Sequence, residues 1–260
     1  MASFTIENLE FLLCILARIS AFIFVAPVYS LQSVPARGKA LVAIAVSVIC
    51  YISLPYEPLV YGGVIGYAIL VTKEVITGLI LGLFANLAYY ILGLAGQLID
   101  MEVGLSNIQE LDPTSKISVT ISSTILNYGV VLTLIATNMH LFILKAVLDS
   151  FEVLPIGGIV PDSDMFRLYL KFIADYFVIA FRIVLPEFAA ILIVNTVLAI
   201  LAKVAPQLNM FVVGHQLKIV IGITVLVIIT LMLPSISDMI FNNMINNMRN
   251  ALYYMTGGDL

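Results

Sequence analysis

Long apolar runs constrain this chain more than any other feature. A helix that crosses a bilayer needs about 20 predominantly apolar residues, and several runs reach that length. About six can be read along the chain: Leu9–Ala26, Ala40–Leu54, Val64–Ile99, Ile117–Val147, Leu170–Ala202 and Phe211–Leu233. They predict an all-α, membrane-type protein whose long hydrophobic helices form hairpins.

Composition excludes two other classes of protein. Hydrophobic residues make up 62% of the chain and charged residues 11%, whereas soluble domains carry roughly 25% charged residues. The net charge of −4 comes without any cluster of Lys or Arg, so nucleic-acid binding has no electrostatic basis. Cys14 and Cys50 both fall in apolar runs, which favours buried thiols over a disulfide framework.

Two segments have an unusual length or pattern. As one helix, Val64–Ile99 would reach roughly 54 Å against a hydrocarbon core of about 30 Å, so either a single tilted helix or a broken or projecting one is expected. The tail after Pro234 predicts an amphipathic helix lying against an interface or a partner, with apolar residues at helical spacing: Ile240, Met244, Met248, Leu252 and Met255.

Charged residues inside or beside the apolar runs carry the functional information. A charge at the centre of a spanning helix costs about 2.5–3.5 kcal/mol on insertion scales, so such groups face protein or water. We expect contacts with other helices or other subunits for a set of seven: Arg18, Lys73, Glu74, Asp100, Arg182, Glu187 and Lys203.

Smaller patterns indicate close packing. Gly78 and Gly82 form a small-xxx-small pattern that lets helix backbones approach, and a hydroxyl and amide stripe runs from Thr120 to Asn127. The segment 100–113 contains four acidic residues. Its backbone cannot lie in lipid, so it is in water, buried in protein or inside a water-filled cavity.

Catalytic, metal and cofactor signatures are missing from the sequence. It has no HExxH, GxSxG, Walker-type or GxGxxG motif. His140 and His215 lack Cys or acidic neighbours at metal spacing. We therefore expect no enzyme, no catalytic residue, no metal site and no cofactor.

A series of motifs, in order over about 200 residues, resembles the FliR family, the R- or T-type subunit of the flagellar and type III secretion export apparatus. The motifs are Arg18-Ile-Ser-Ala with Ala26-Pro27, Val34-Pro35 with Lys39, Lys73-Glu74 with Gly78 and Gly82, Gly96-Gln-Leu-Ile-Asp100 with Gly104, Asp112-Pro113, Pro186-Glu187, and Ala205-Pro206-Gln-Leu-Asn209 with Gly214 and Lys218.

The resemblance implies a subunit of a helical hetero-oligomer in the bacterial inner membrane, at the flagellar basal body, largely above the membrane plane. Residues 1–165 would form a P-like helical unit and 166–260 a Q-like hairpin plus the amphipathic C-terminal helix. The implied partners are the P-type and Q-type subunits (FliP and FliQ), an FlhB-type switch subunit, exported unfolded proteins and membrane lipid. The implied function is structural and gating, in flagellar or virulence-type protein export, with the flagellar branch favoured.

The resemblance also assigns two sites. A plug loop, within the segment 100–113, would close the resting pore: Gly104, Leu105, Ser106, Asn107, Ile108, Gln109, Glu110, Leu111 and Asp112. The tip of the Q-like hairpin would face the cytoplasm: Ala205, Pro206, Gln207, Leu208 and Asn209.

Two alternatives remain open at this point. The costly charges Lys73, Glu74 and Glu187 could instead form the ion relay of a secondary transporter, although no inverted repeat is evident. An intramembrane hydrolase would need a nucleophile and a base that the sequence does not supply.

Overall fold

The computed structural model describes residues 6–31, 34–56, 58–105, 120–159, 165–207 and 209–257. Within these ranges the regular structure is helical, with no β-strand. The helices are α1 (Ile6–Val25), α2 (Ala36–Ser53), α3 (Gly63–Val103), α4 (Ile121–Ala136), α5 (Met139–Val153), α6 (Met165–Val204), α7 (Met210–Leu231) and α8 (Leu233–Met255).

Five of these helices are individually long and apolar enough to cross a membrane, namely α1, α2, α3, α6 and α7. The bent pair of α4 and α5 would make a sixth if it acts as one span. The prediction of an all-α fold with about six long hydrophobic helices is therefore confirmed.

The fourth apolar segment is not the continuous run that we predicted. It breaks into α4 and α5, which are inclined by 74°. Asn138 at the break adopts φ +59°, a left-handed conformation that Asn tolerates better than most residues. One left-handed residue is enough to end the right-handed hydrogen-bond ladder. Such a residue leaves the hydropathy of the segment almost unchanged, so the apolar run did not reveal the break.

The third segment, in contrast, is a single helix. Helix α3 runs for 41 residues without interruption, which is about 60 Å at 1.5 Å per residue. The glycines that could have bent it are accommodated inside the helix. A break, one of the forms that the sequence left open, is therefore not observed, and the remaining forms are a tilted helix and a projecting one.

The chain divides into two compact units, which alternate along the sequence. Unit 1 comprises Met1–Ala88, Asn138–Phe172 and Asn242–Leu260, and unit 2 comprises Tyr89–Thr137 and Ile173–Phe241. The core of unit 1 is built around the buried face of α1, including Cys14, Ile15 and Phe22. The core of unit 2 includes Leu92, Ile99, Leu126, Val130 and Leu134.

The C-terminal helix has the predicted pattern but a different location for its apolar face. The side chains of Ile240, Met244, Met248, Leu252 and Met255 are all buried within the chain. The expectation that this face lies against an interface or a partner is therefore wrong, because the face completes the chain's own core. Cys14 and Cys50 are buried free thiols, as predicted.

Candidate functional site

Unit 1 contains a fully buried ion pair. Arg18 on α1 donates from Nε to Oε2 of Glu74 on α3 at 2.6 Å, and the side chains are 0% and 1% exposed. Burying either charge alone would be very costly. The pair therefore fixes the relative position of α1 and α3.

The same guanidinium group also holds the end of α5. Its Nη1 donates to the Ser150 carbonyl oxygen and to the Ser150 hydroxyl, both at 3.2 Å. Its Nη2 donates to the Leu154 carbonyl oxygen at 3.0 Å, and the group lies 4.0 Å from the ring centre of Phe151. Carbonyl groups at a helix C-terminus carry partial negative charge, and the last of them lack intrahelical donors. Arg18 supplies a positive charge and a donor for the Leu154 carbonyl oxygen, whereas the Ser150 carbonyl oxygen also accepts from the Leu154 N–H at 2.9 Å.

Glu74 and its neighbour Lys73 bind the turn that follows α5. The Gly157 N–H donates to Oε1 of Glu74 at 2.8 Å, and Lys73 Nζ donates to the Gly157 carbonyl oxygen at 3.1 Å. Gly157 has φ +79°, a conformation that favours glycine. Together with Arg18, these contacts define the unit 1 clamp: Arg18, Glu74, Lys73, Ser150, Leu154 and Gly157.

The glycine pattern on α3 permits this approach. A Cβ on Gly78 would overlap the Arg18 carbonyl oxygen, and one on Gly82 would lie 3.1 Å from the Phe22 carbonyl oxygen. The predicted close packing of backbones at this small-xxx-small pattern is thus confirmed.

Unit 2 contains a second buried acidic contact. The fully buried Asp100, near the end of α3, accepts hydrogen bonds from the backbone N–H of Ser122, at 3.3 and 3.4 Å to its two oxygens, and from the Ser122 hydroxyl. Ser122 is in the first turn of α4, where N–H groups are unpaired and the helix dipole favours an anion. Asp100 therefore fastens the end of α3 to the start of α4.

Close backbone packing supports this contact. A Cβ on Gly96 would overlap the backbone of Ser123, and the Thr120 side chain caps α4 by accepting from the Ser123 N–H at 3.3 Å. Part of the predicted hydroxyl stripe thus serves to start α4. We call Asp100, Ser122, Gly96 and Ser123 the unit 2 anchor.

The start of the predicted plug loop lies directly after this anchor. The N–H groups of Gly104 and Leu105 donate to the Asp100 carbonyl oxygen at 3.0 and 2.9 Å. Gly104 has φ +89°, and a Cβ there would lie 2.9 Å from Cε1 of His215 on α7. Leu105 is 8% exposed. The remaining predicted plug residues, 106–112, lie outside the described residues.

Glu187 on α6 is a buried carboxyl group near the end of α3. Its side chain is 0% exposed, and neither oxygen has a hydrogen-bond donor among the described residues. A Cβ on Gly222 of α7 would lie 3.2 Å from its Oε1 and would overlap the Val103 side chain. Helices α3, α6 and α7 thus meet closely at Gly222.

The other predicted site residues are not brought into these clusters. Arg182 and Lys203 are exposed on α6. The hairpin tip forms the turn between α6 and α7, where the Asn209 side chain accepts from the Val212 N–H at 3.4 Å. Leu208 lies outside the described residues.

Sequence reasoning missed several partners of the charges. Ser150, Leu154 and Gly157 contribute mainly backbone groups to the unit 1 clamp, and no residue type encodes a backbone carbonyl. Of these partners, only Gly157 has a residue type that indicates its role, because glycine is common in turns. Among the described residues, no group of three or more His, Cys, Asp or Glu side chains is placed so that it could hold a metal ion.

Sequence comparisons show which known proteins the chain is similar to. The chain matches the family described as bacterial export proteins, family 1, over residues 9–244. It is 29% identical to flagellar biosynthetic protein FliR of Buchnera aphidicola (subsp. Acyrthosiphon pisum) over 92% of each chain. It is 28% identical to the Escherichia coli FliR, over 89% of this chain and 88% of that protein. It is 29% identical to the Bacillus subtilis FliR, over 92% and 93% respectively.

Proposed function

This chain belongs to family 1 of the bacterial export proteins, the FliR family of flagellar export proteins, and on that premise we propose that it is a structural and gating subunit of an export gate. The gate passes unfolded flagellar proteins across the inner membrane at the flagellar basal body. The segment Gly104–Asp112 is its plug, which closes the pore at rest.

The unit 2 anchor is the observation that carries this proposal. A plug must be held at its ends while its middle can move aside. Asp100 and Ser122 flank the segment and are joined by buried hydrogen bonds, and Gly104 is confined by the imidazole of His215. The anchor thus supports a plug whose two ends are held in place.

The chain's surface supports assembly with other membrane subunits. Helix α2 exposes large apolar side chains, among them Leu41, Ile49 and Ile52, which suit a lipid or protein contact better than water. We propose FliP-type and FliQ-type subunits and an FlhB-type subunit as partners, with residues 1–165 as the P-like unit and 166–260 as the Q-like hairpin. Arg182 and Lys203 would pair with these subunits.

The contacts of the unit 1 clamp argue against the ion-relay alternative. A relay residue has to exchange protons or ions with its surroundings. Glu74 instead accepts a hydrogen bond at each oxygen, and Lys73 is bound to a backbone carbonyl. Two of the three suggested relay groups therefore have structural partners.

Deleting Asn107–Glu110 tests the plug. The shortened segment should no longer fill the pore, so cells or proteoliposomes carrying the assembled complex should leak ions or small solutes. The matched control is Asn246→Ala, an exposed position on α8, which should leave the membrane tight. Normal permeability in a fully assembled deletion variant would refute the plug assignment.

A further inference from the structure

Glu187 on α6 is a buried carboxyl group in surroundings that suit only its neutral form. The residues one turn away on the same helix face, Ile183, Val184 and Ile191, are apolar and buried. Neither carboxyl oxygen accepts a hydrogen bond from the described residues. An ionised carboxylate in such a place costs far more free energy than a protonated one. The group therefore holds its proton while it stays covered.

Charged and titratable neighbours lie around this carboxyl group without bonding to it. On the three helices that meet here, those within about two turns of the contact are Asp100 and Glu102 on α3, Arg182 on α6, and His215 and Lys218 on α7. None of them forms a hydrogen bond with Glu187. The two acids oppose another negative charge nearby. Helix α4, which also packs on α7, carries no Asp, Glu, His, Lys or Arg.

The basic neighbours are placed away from the carboxyl group. Arg182 is exposed and lies five residues before Glu187, on a different face of α6. His215 lies against Gly104. Lys218 is one turn before Gly222 on α7, and long side chains on a helix lean toward its N-terminus, away from that glycine. The described contacts thus leave Glu187 without a counter-charge.

The last turn of α3 covers the carboxyl group. A Cβ on Gly222 would lie 3.2 Å from Glu187 Oε1 and would overlap the side chain of Val103, which is 1% exposed. Helices α6 and α7 are consecutive in the chain and also pack closely at Gly214. Asp100 holds α3 one turn earlier, through its bonds to Ser122. The turn that contains Val103 is therefore the part that can withdraw and admit water.

We propose that Glu187 is a proton-binding site that controls whether the last turn of α3 stays seated on α6 and α7. With the proton bound, Val103 packs over a neutral carboxyl group. When Val103 withdraws from Gly222, water reaches the carboxyl group, and the proton passes from its oxygen to the solvent. The seated form thus holds one proton more than the withdrawn form, so raising the pH favours withdrawal.

The experiment measures exposure of this turn by the rate of maleimide labelling at Leu105→Cys, a position that is 8% exposed. It uses the full chain with its co-purifying subunits, between about pH 5.5 and 8, where ordinary carboxyl groups stay ionised and histidine titrates. The chain without the new cysteine gives the background from Cys14 and Cys50. The reporter is combined with Glu187→Gln, and also with Glu187→Met, which needs no hydrogen bonds.

The labelling rate with Glu187 present, divided by the rate with Glu187→Gln at the same pH, removes the pH dependence of the thiol itself. This ratio should rise by up to about tenfold per pH unit, the slope for release of one proton. The Glu187→Met variant should match Glu187→Gln. Two controls should keep the rise: His215→Gln, which removes the titrating neighbour, and Asp238→Asn, which removes an exposed carboxyl group of unit 2.

A ratio that does not change with pH would overturn the proposal, as would a rise that disappears with His215→Gln. Faster labelling of both Glu187 variants at every pH would also overturn it, because that result identifies Glu187 as an ionised partner in the seated form. The inference does not rest on the plug, since labelling at Leu105→Cys reports the position of α3 whether or not the complex leaks.

Discussion

Replacing Glu74 by glutamine is the most direct test of the unit 1 clamp. The amide keeps the size of the side chain but leaves the Arg18 guanidinium buried without its counter-charge. Removing one partner of a buried ion pair costs about 3–5 kcal/mol. The hydrogen bonds add to this cost, because Glu74 accepts at both oxygens, from Arg18 and from the Gly157 N–H, whereas glutamine has one carbonyl oxygen.

This cost predicts a large change in thermal stability. For a chain of this size each kcal/mol corresponds to about 2–4 °C in Tm, so Glu74→Gln should lower Tm by roughly 6–20 °C. The chain contains no Trp, but Cys14 and Cys50 are free and only 0% and 3% exposed. A thiol-reactive fluorophore would therefore report unfolding of the detergent-solubilised protein directly.

A double-mutant cycle separates pairing from ordinary packing loss. Arg18→Met leaves the Glu74 carboxylate buried without its counter-charge, and Glu74→Met does the same to the Arg18 guanidinium group. The double variant buries neither charge. Its destabilisation should be smaller than the sum of the single effects by at least about 2 kcal/mol. Arg182→Met, at an exposed position, should change Tm by less than about 2 °C. Additive single effects, or a wild-type Tm for Glu74→Gln, would show that the clamp does not hold these helices.

Substitutions at Gly78 and Gly104, each with a control substitution, test the glycine contacts. Gly78→Ala should destabilise unit 1, because the new Cβ would overlap the Arg18 carbonyl oxygen. The control Gly93→Ala places its Cβ with no atom within 4 Å and should gain up to about 1 kcal/mol of helix propensity. Thermal unfolding measures both variants. Gly104→Ala should make the assembled complex leaky through backbone strain and contact with His215, and adding His215→Ala should relieve only the steric part, as solute-leak assays would show.

The sequence predicted the helices better than their breaks. Apolar runs of spanning length are a strong signal, so α1, α2, α3, α6 and α7 all fall where runs were seen. The break at Asn138 depends on one backbone angle, and a Thr-Asn pair within an apolar run does not specify that angle. The amphipathic pattern of α8 was clear, but periodicity alone cannot say which surface covers an apolar face.

The candidate sites show the same division. The cost of burying a charge indicated that Arg18 and Glu74 need partners outside their own helices, yet it could not identify those partners. The two residues are 56 positions apart, and Arg18 also binds backbone carbonyls that any residue could supply. Asp100 was recognised as a charge in an apolar context, whereas its binding to the start of α4 depends on how the chain returns after residue 119.

The buried polar contacts explain how such an apolar chain selects one packing, and they constrain the opening movement of the gate proposed above. Apolar contacts between helices discriminate weakly among registers when the surroundings are also apolar. A shift of one turn at Arg18 or Asp100, in contrast, would leave a buried charge without its partners, and that penalty favours a single register. The same penalty bears on opening. Separating Asp100 from Ser122 would leave a buried carboxylate without its hydrogen bonds. The opening movement with the lowest free-energy cost therefore keeps the unit 2 anchor intact and displaces only the segment between its two ends.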